Sequence, residues 1–272
     1  GTTKTLYTDS TSAELTSNTY GWVSAFGSDG FSVNQSGSNG ENVNASGSTY
    51  ASWNWKANGA GSANTDGTIS STVSVNTTAG FSIVKWVGTG SNATIGHGLG
   101  VKPAMIITKP TSAVGSWYTY HKSLDATDFI KLNSTDATAD NATIWNDTEP
   151  TSSVFSVGTY DQVNGNGINY IAYCFAEKQG YSHFGSYIGN SNADGPFIYL
   201  GFKPAFVMIK RVDAGTTYSS WAMFDNKRLG YNPTGGPQSL YANRDYAEGK
   251  RGQGSANSSE VRINMLSNGF KV

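Results

Sequence analysis

Apolar residues in this chain come in short runs rather than at helical spacing. The strongest runs are 81–87, 104–107, 170–175, 197–202 and 205–209. Each is of strand length, and most are bounded by Gly, Asn, Asp or Ser, the residues that turns demand. In Tyr50-Ala51-Ser52-Trp53-Asn54-Trp55 large side chains alternate with small or polar ones, and Tyr170-Ile171-Ala172-Tyr173-Cys174-Phe175 has the same rhythm. A period of two places 53 with 55, and 173 with 175, on one face of a half-buried strand. The pattern predicts an all-β fold of antiparallel β-sandwich (jelly-roll-like) type. Residues 57–68, dominated by Ala, Asn, Gly, Ser and Thr, read as a linker or exposed loop, and 69–76 as a possible short strand.

Self-comparison adds organisation. Leu99-Gly100-Val101-Lys102-Pro103-Ala104 returns as Leu200-Gly201-Phe202-Lys203-Pro204-Ala205, at an offset of 101. Both copies lead into an apolar strand ending at a lysine, Lys109 and Lys210, and Ser116-Trp117 then matches Ser220-Trp221. Leu6-Tyr7, Lys131-Leu132 and Leu240-Tyr241 form a further set, each followed by an Ala-acid pair at 13–14, 139–140 and 247–248. Gly30-Phe31-Ser32-Val33 matches Val154-Phe155-Ser156-Val157 and Gly269-Phe270-Lys271-Val272. The order of matches predicts tandem modules from a repeat of about 100–125 residues. On this reading 1–58 is the back half of a module and 59–78 a linker with a possible strand. Residues 79–178 are a complete module, and 179–272 the front part of another. The chain thus starts and stops out of phase with its repeat. This, and an initial Gly1, lead to the expectation of a piece of a longer protein. The alternative is that the partial units complete each other or a neighbouring chain.

Composition narrows the function. There are 18 Lys and Arg against 19 Asp and Glu in 272 residues. No basic excess exists to neutralise phosphates, which argues against nucleic-acid binding. No apolar run of about 18 residues suggests a spanning helix, so membrane insertion is not expected. Ser, Thr and Asn number 86 and aromatics are 12% of the chain, a mixture that suits strands and turns rather than disorder. Charge is uneven: 1–202 hold 8 basic and 14 acidic residues, and 203–272 hold 10 and 5. Head-to-tail packing of acidic against basic ends is one reading, and scattered surface charge the plainer one.

The ordered set Phe81-Ser82-Ile83-Val84, Gly96-His97-Gly98-Leu99-Gly100, Lys102-Pro103-Ala104-Met105-Ile106-Ile107, Trp117-Tyr118-Thr119-Tyr120-His121-Lys122-Ser123-Leu124 and Tyr170-Ile171-Ala172-Tyr173-Cys174-Phe175-Ala176-Glu177 resembles a repeated module of marine tailed-phage virion proteins. Gly180-Tyr181-Ser182, Phe184-Gly185-Ser186-Tyr187 and Asp194-Gly195-Pro196-Phe197 continue the resemblance, which covers most of 79–272. It implies a non-enzymatic structural or adhesive role in a tail fibre or surface appendage, located on the virion tail or capsid surface. The implied partners are further copies of the chain, other virion proteins and a host surface glycan. A capsid-decorating protein of the same phages is the nearest alternative. A carbohydrate-binding module of an adhesin or secreted enzyme is the more distant one.

Candidate chemistry is sparse. His97, His121 and His183 lack counterparts in the other copy, and no His-x-x-x-His or Cys-x-x-Cys spacing suggests a metal. Asp225 and Glu177 flank aromatic segments, yet they align with His121 and Ala57, so no catalytic residue and no cofactor are expected. Cys174 lies in an apolar run and reads as a buried small hydrophobe. Trp53, Trp55, Trp86, Trp117, Tyr118, Tyr120, Tyr187 and Trp221 have the chemistry for stacking on sugars, with core packing as the competing use. Trp117, Tyr118 and Trp221, beside loops, are the candidates for glycan or partner contact.

Overall fold

The computed structural model describes residues 2–17, 19–35, 43–216, 218–228, 230–232, 239–248 and 263–272. Gly1 lies outside them, as do Glu41, Lys250, Arg251, Glu260 and Arg262 of the charge balance above. The first segment carries β1 (Lys4–Thr5), β2 (Leu15–Thr16), β3 (Trp22–Phe26) and β4 (Phe31–Asn34). Next come β5 (Ser62–Asn64), β6 (Ser71–Asn76), β7 (Phe81–Val87), β8 (Ala93–Gly96), β9 (Met105–Pro110), β10 (Tyr118–His121), β11 (Asp128–Lys131) and β12 (Ala139–Asp140). Helix α1 (Ala142–Trp145), β13 (Val154–Val157), α2 (Asp161–Asn164) and β14 (Asn169–Phe175) follow. The last part holds β15 (Phe197–Tyr199), β16 (Phe206–Ile209), β17 (Ala222–Asp225), β18 (Leu240–Tyr241), β19 (Asn264–Leu266) and β20 (Gly269–Lys271).

The chain is all-β and its strand pairs are antiparallel, as the alternating short runs predict. The main sheet runs β12-β11-β10-β9-β14-β7-β6-β5. Strand β14 sits at its middle, pairing seven residues with β7 on one edge and six with β9 on the other. Alternation along β14 sends Tyr170, Ala172 and Cys174 to one face, where all are fully buried. There they meet Val84, Trp86 and Ile106 of the same sheet and Ile95, Phe155 and Val157 of the two-stranded β8–β13 sheet. This is a sandwich core, closed at its ends by Ile144 and Trp145 of α1 and Val163 of α2. Burial raises the Cys174 thiol to about 12, which keeps it protonated and inert, in line with its reading as a core residue.

The opposite face of the sheet is covered too. Tyr173 and Phe175 of β14 and Met105 and Ile107 of β9 pack with Leu6 of the first segment and with Phe184, Met208, Trp221 and Met223 of the last part. Phe175 touches both Trp55 and Phe184, at ring-centroid distances of 6.0 and 6.1 Å. The last part has its own smaller core of Val207, Phe224, Tyr241, Ile263, Met265 and Phe270. That core lies between the sheets β16-β17-β18 and β15-β20-β19.

Two expectations differ from the structure. Within 57–68, read as a linker or exposed loop, residues 62–64 are not free: β5 pairs with β6, and β6 with β7, so this part extends the main sheet, while most of the remainder is exposed. Gly67 serves close approach instead. A Cβ on Gly67 would sit 2.3 Å from the Thr94 carbonyl oxygen, next to the bond from Ile69 N–H to that same carbonyl. Residues 50–55, written like β14, form no strand. A strand needs neighbours for its backbone groups, and the described residues of the first segment hold no counterpart of β7 or β9 to supply them.

Gly67→Ala should therefore lower stability by about 1–3 kcal/mol through overpacking against backbone. Urea unfolding measures this; an unchanged midpoint would show that the segment is a loose linker after all.

Candidate functional site

The residues singled out at 117 and 221 head matching hairpins. Strand β9 ends near Lys109 and the chain returns into β10 just after Trp117; β16 ends before Lys210 and returns into β17 just after Trp221. Each tryptophan is anchored by its own backbone. Trp117 N–H donates to Asn133 Oδ1 and Trp221 N–H to Asn243 Oδ1, both at 2.9 Å. The Leu132 and Ala242 N–H groups donate back to the Trp117 and Trp221 carbonyls.

Each side chain reaches out of its own unit. Trp117 Nε1 donates to the Tyr7 carbonyl at 2.9 Å, and Trp221 Nε1 to the Lys131 carbonyl at 2.9 Å. Lys109 Nζ donates to the Thr11 carbonyl at 3.2 Å and Lys210 Nζ to the Thr135 carbonyl at 3.0 Å. Backbone closes each contact from the other side: Glu14 N–H donates to the Thr111 carbonyl at 2.9 Å, and Thr138 N–H to the Val212 carbonyl at 2.8 Å. The receiving positions are 7, 11 and 14 in the first case and 131, 135 and 138 in the second. The same three bonds, with the same spacing, join the first segment to the middle unit and the middle unit to the last. They align Tyr7 with Lys131, and the matching Leu132 and Ala242 bonds align Lys131 with Tyr241, a one-residue shift of the middle copy from the match read in sequence.

The lysines are in unfavourable surroundings for a charge. Lys109 is fully buried, and burial lowers its ammonium from the ordinary 10.5 to about 8. Burial does the same to Lys210, to about 8, against a raising influence from Asp136. Near neutral pH both remain largely charged, and carbonyl oxygens replace the water they have lost. Lys109 also donates to the Pro110 carbonyl and Lys210 to the Ser219 carbonyl.

This geometry corrects the glycan reading of the three candidate residues. Trp117, Tyr118 and Trp221 are only 3%, 4% and 4% exposed. Trp117 stacks on Tyr173, with ring planes 23° apart. Tyr118, one residue on, points to the other face, into the sandwich core against Phe129 and Tyr160. A sugar needs an open ring face, and these rings have none. Trp117 and Trp221 are contact residues between parts of this chain, while Tyr118 is core. Trp86 and Tyr120 are core as well, whereas Trp55 and Tyr187 keep 42% and 39% of their surface open. Sequence reasoning missed Lys109 and Lys210 as functional residues, although each closes an apolar strand eight or eleven residues before its tryptophan.

The titratable candidates have local partners. Burial would raise Asp225, but the Arg228 guanidinium at 2.7 Å and two backbone N–H groups bring it below the usual range. Glu177 is likewise brought down, against burial, by Lys122, the Phe184 N–H and His183. Neither has the raised carboxyl that a glycosidic general acid uses. His97 is buried; its Nδ1 accepts from Leu99 N–H, leaving Nε2 to donate to the Thr151 carbonyl, and burial lowers its pKa. Among the described residues no group of three or more His, Cys, Asp or Glu is placed to hold a metal ion, and no helix is long and apolar enough to cross a membrane.

Fold and contact together define an all-β sandwich protein whose parts are joined by tryptophan and lysine donors aimed at backbone carbonyls. A family model for a domain of unknown function, DUF7483, matches residues 1–272, and the chain belongs to that family. No curated protein and no solved structure matches it.

Trp117→Phe and Trp221→Phe keep a ring but remove the indole N–H, and with it the bond to the Tyr7 or Lys131 carbonyl. Each should cost about 1–2 kcal/mol in chemical denaturation; no loss would mean that the indole bond is dispensable.

The lysines give a pH dependence of definite sign. Below about pH 8 folded and unfolded chains both hold the proton, and stability is flat with respect to these groups. Between about 8 and the unfolded value of 10.5 only the unfolded chain holds it, so stability rises with pH. The melting temperature of the parent chain should gain on that of Lys109→Met as pH is raised through this window. A gap that stays constant or reverses contradicts the assignment.

Proposed function

We propose that the chain is a non-catalytic structural protein of a phage virion, of tail-fibre or surface-appendage type. Its tandem β-modules pack against one another, against further copies and against other virion proteins. The observation that carries this reading is the recurrence of one contact, with three equivalent bonds, at two successive junctions. Bonds to backbone carbonyls hold each hairpin in one orientation, because the acceptors are fixed by the strands and turns that carry them. A succession of such junctions makes a stiff body, the mechanical requirement of an appendage. The resemblance of 79–272 to phage virion modules supports the same reading. Host-surface contact then falls to exposed aromatics and polar loops rather than to the buried Trp117, Tyr118 and Trp221.

Immunogold electron microscopy of the phage particles, with antibody to this chain, should label the tail or its appendages. Label over the head supports the capsid-decorating alternative instead, and absence of the chain from purified particles refutes a virion role. Glycan-array binding without particle association favours the carbohydrate-binding module. Turnover of capsular polysaccharide by the purified chain overturns the non-catalytic assignment.

A further inference from the structure

The junction described above has two filled instances, and the chain carries a third copy of its receiving side. The filled sets are Tyr7, Thr11 and Glu14, and Lys131, Thr135 and Thr138. Residues at the same spacing in the last part are Tyr241, Asp245 and Glu248. The correspondence is structural as well as numerical. The turn after Tyr7 is closed by a bond from Ser10 N–H to the Tyr7 carbonyl at 3.4 Å, and the turn after Tyr241 by one from Arg244 N–H to the Tyr241 carbonyl at 3.4 Å. Asn243 anchors Trp221 as Asn133 anchors Trp117.

This third set meets no matching donor. Among the described residues no indole reaches the Tyr241 carbonyl, no ammonium the Asp245 carbonyl, and no carbonyl the Glu248 N–H. Asp245 and Glu248 are exposed. The Glu248 carboxylate is paired with Arg228, Oε1 to Nη1 at 2.6 Å, so Asp245 supplies the negative charge where a lysine would arrive, which suits the cation used at both filled junctions.

We infer that the turn from Tyr241 to Glu248 is a docking face for a β-hairpin of another module of this kind. That hairpin carries a lysine at the end of its first strand and a tryptophan at the head of its second, and it belongs to a module other than the parts of this chain described above. Continuity with the two filled junctions identifies the occupant. Both Lys–Trp hairpins of this chain are already engaged, Lys109–Trp117 on the first segment and Lys210–Trp221 on the middle unit, so neither is available for the third place. The contact is heterologous, with different surfaces on its two sides, so each added module would leave a fresh receiving face for the next. The inference rests on junction geometry and stands whether or not the virion reading does.

A labelled, backbone-cyclised peptide of residues 102–122, which contains Lys109 and Trp117, serves as the probe in fluorescence polarisation with the full chain. One-to-one saturable binding is expected. The same peptide with Trp117→Ala should bind roughly tenfold more weakly, as loss of one bond and its packing implies. On the chain, Glu248→Pro removes the N–H donor and should weaken binding comparably. Glu248→Gln keeps the donor and should retain most of it. No binding, equal binding of both peptides, or indifference to Glu248→Pro overturns the inference. Hydrogen exchange gives a second readout on the unmutated chain. The Glu248 amide should exchange quickly, unlike those of Glu14 and Thr138, and should slow when the peptide is added. A Glu248 amide already protected in the dilute chain alone would mean that the face is covered by the chain itself, and the inference fails.

Discussion

The fold depends on a strand that offers backbone hydrogen bonds on both edges and side chains on both faces. Strand β14 joins β7 to β9, and without it the eight-stranded sheet would fall into two smaller ones. Its alternation then builds two cores at once. Tyr170, Ala172 and Cys174 face the sandwich, and Tyr173 and Phe175 face the neighbouring parts of the chain. Where this arrangement is incomplete, regular structure thins out. Residues 50–55 carry the same alternation but, among the described residues, have no strand on either side, and they form none. Strand β16, the counterpart of β9, is paired on one edge only among the described residues.

The junctions between parts follow a different logic from the cores. Cores rely on apolar area, which is indifferent to orientation. The Trp–Lys junction relies on directed donors and backbone acceptors, which specify one geometry. A buried lysine is a costly choice for this, as its lowered pKa shows, and it is tolerated because two carbonyls meet each ammonium. Since the acceptors are main-chain atoms, the receiving side can vary in side chain. Tyr7 and Lys131 occupy equivalent places with no common chemistry. This also explains why the receiving turns align only loosely in sequence and the donor hairpins align well.

The sequence by itself determined the strand content. The alternation and run lengths at 81–87, 170–175 and 205–209 reflect faces that must be buried or solvated, a local property of a pleated chain. The offsets of the Lys-Pro-Ala and Ser-Trp matches also placed the two donor hairpins correctly relative to each other. Tertiary structure alone decided which side of each strand met what. Trp117 and Tyr118 are adjacent and both aromatic, and only the packing shows that one points to a junction and the other to the core. Gly67 looked like freedom and proved to be proximity, because the reason for its small size is a carbonyl distant in sequence. The role of Lys109 and Lys210 was hidden for the same reason: their acceptors lie 98 and 75 residues away, and a backbone carbonyl leaves no mark in the sequence.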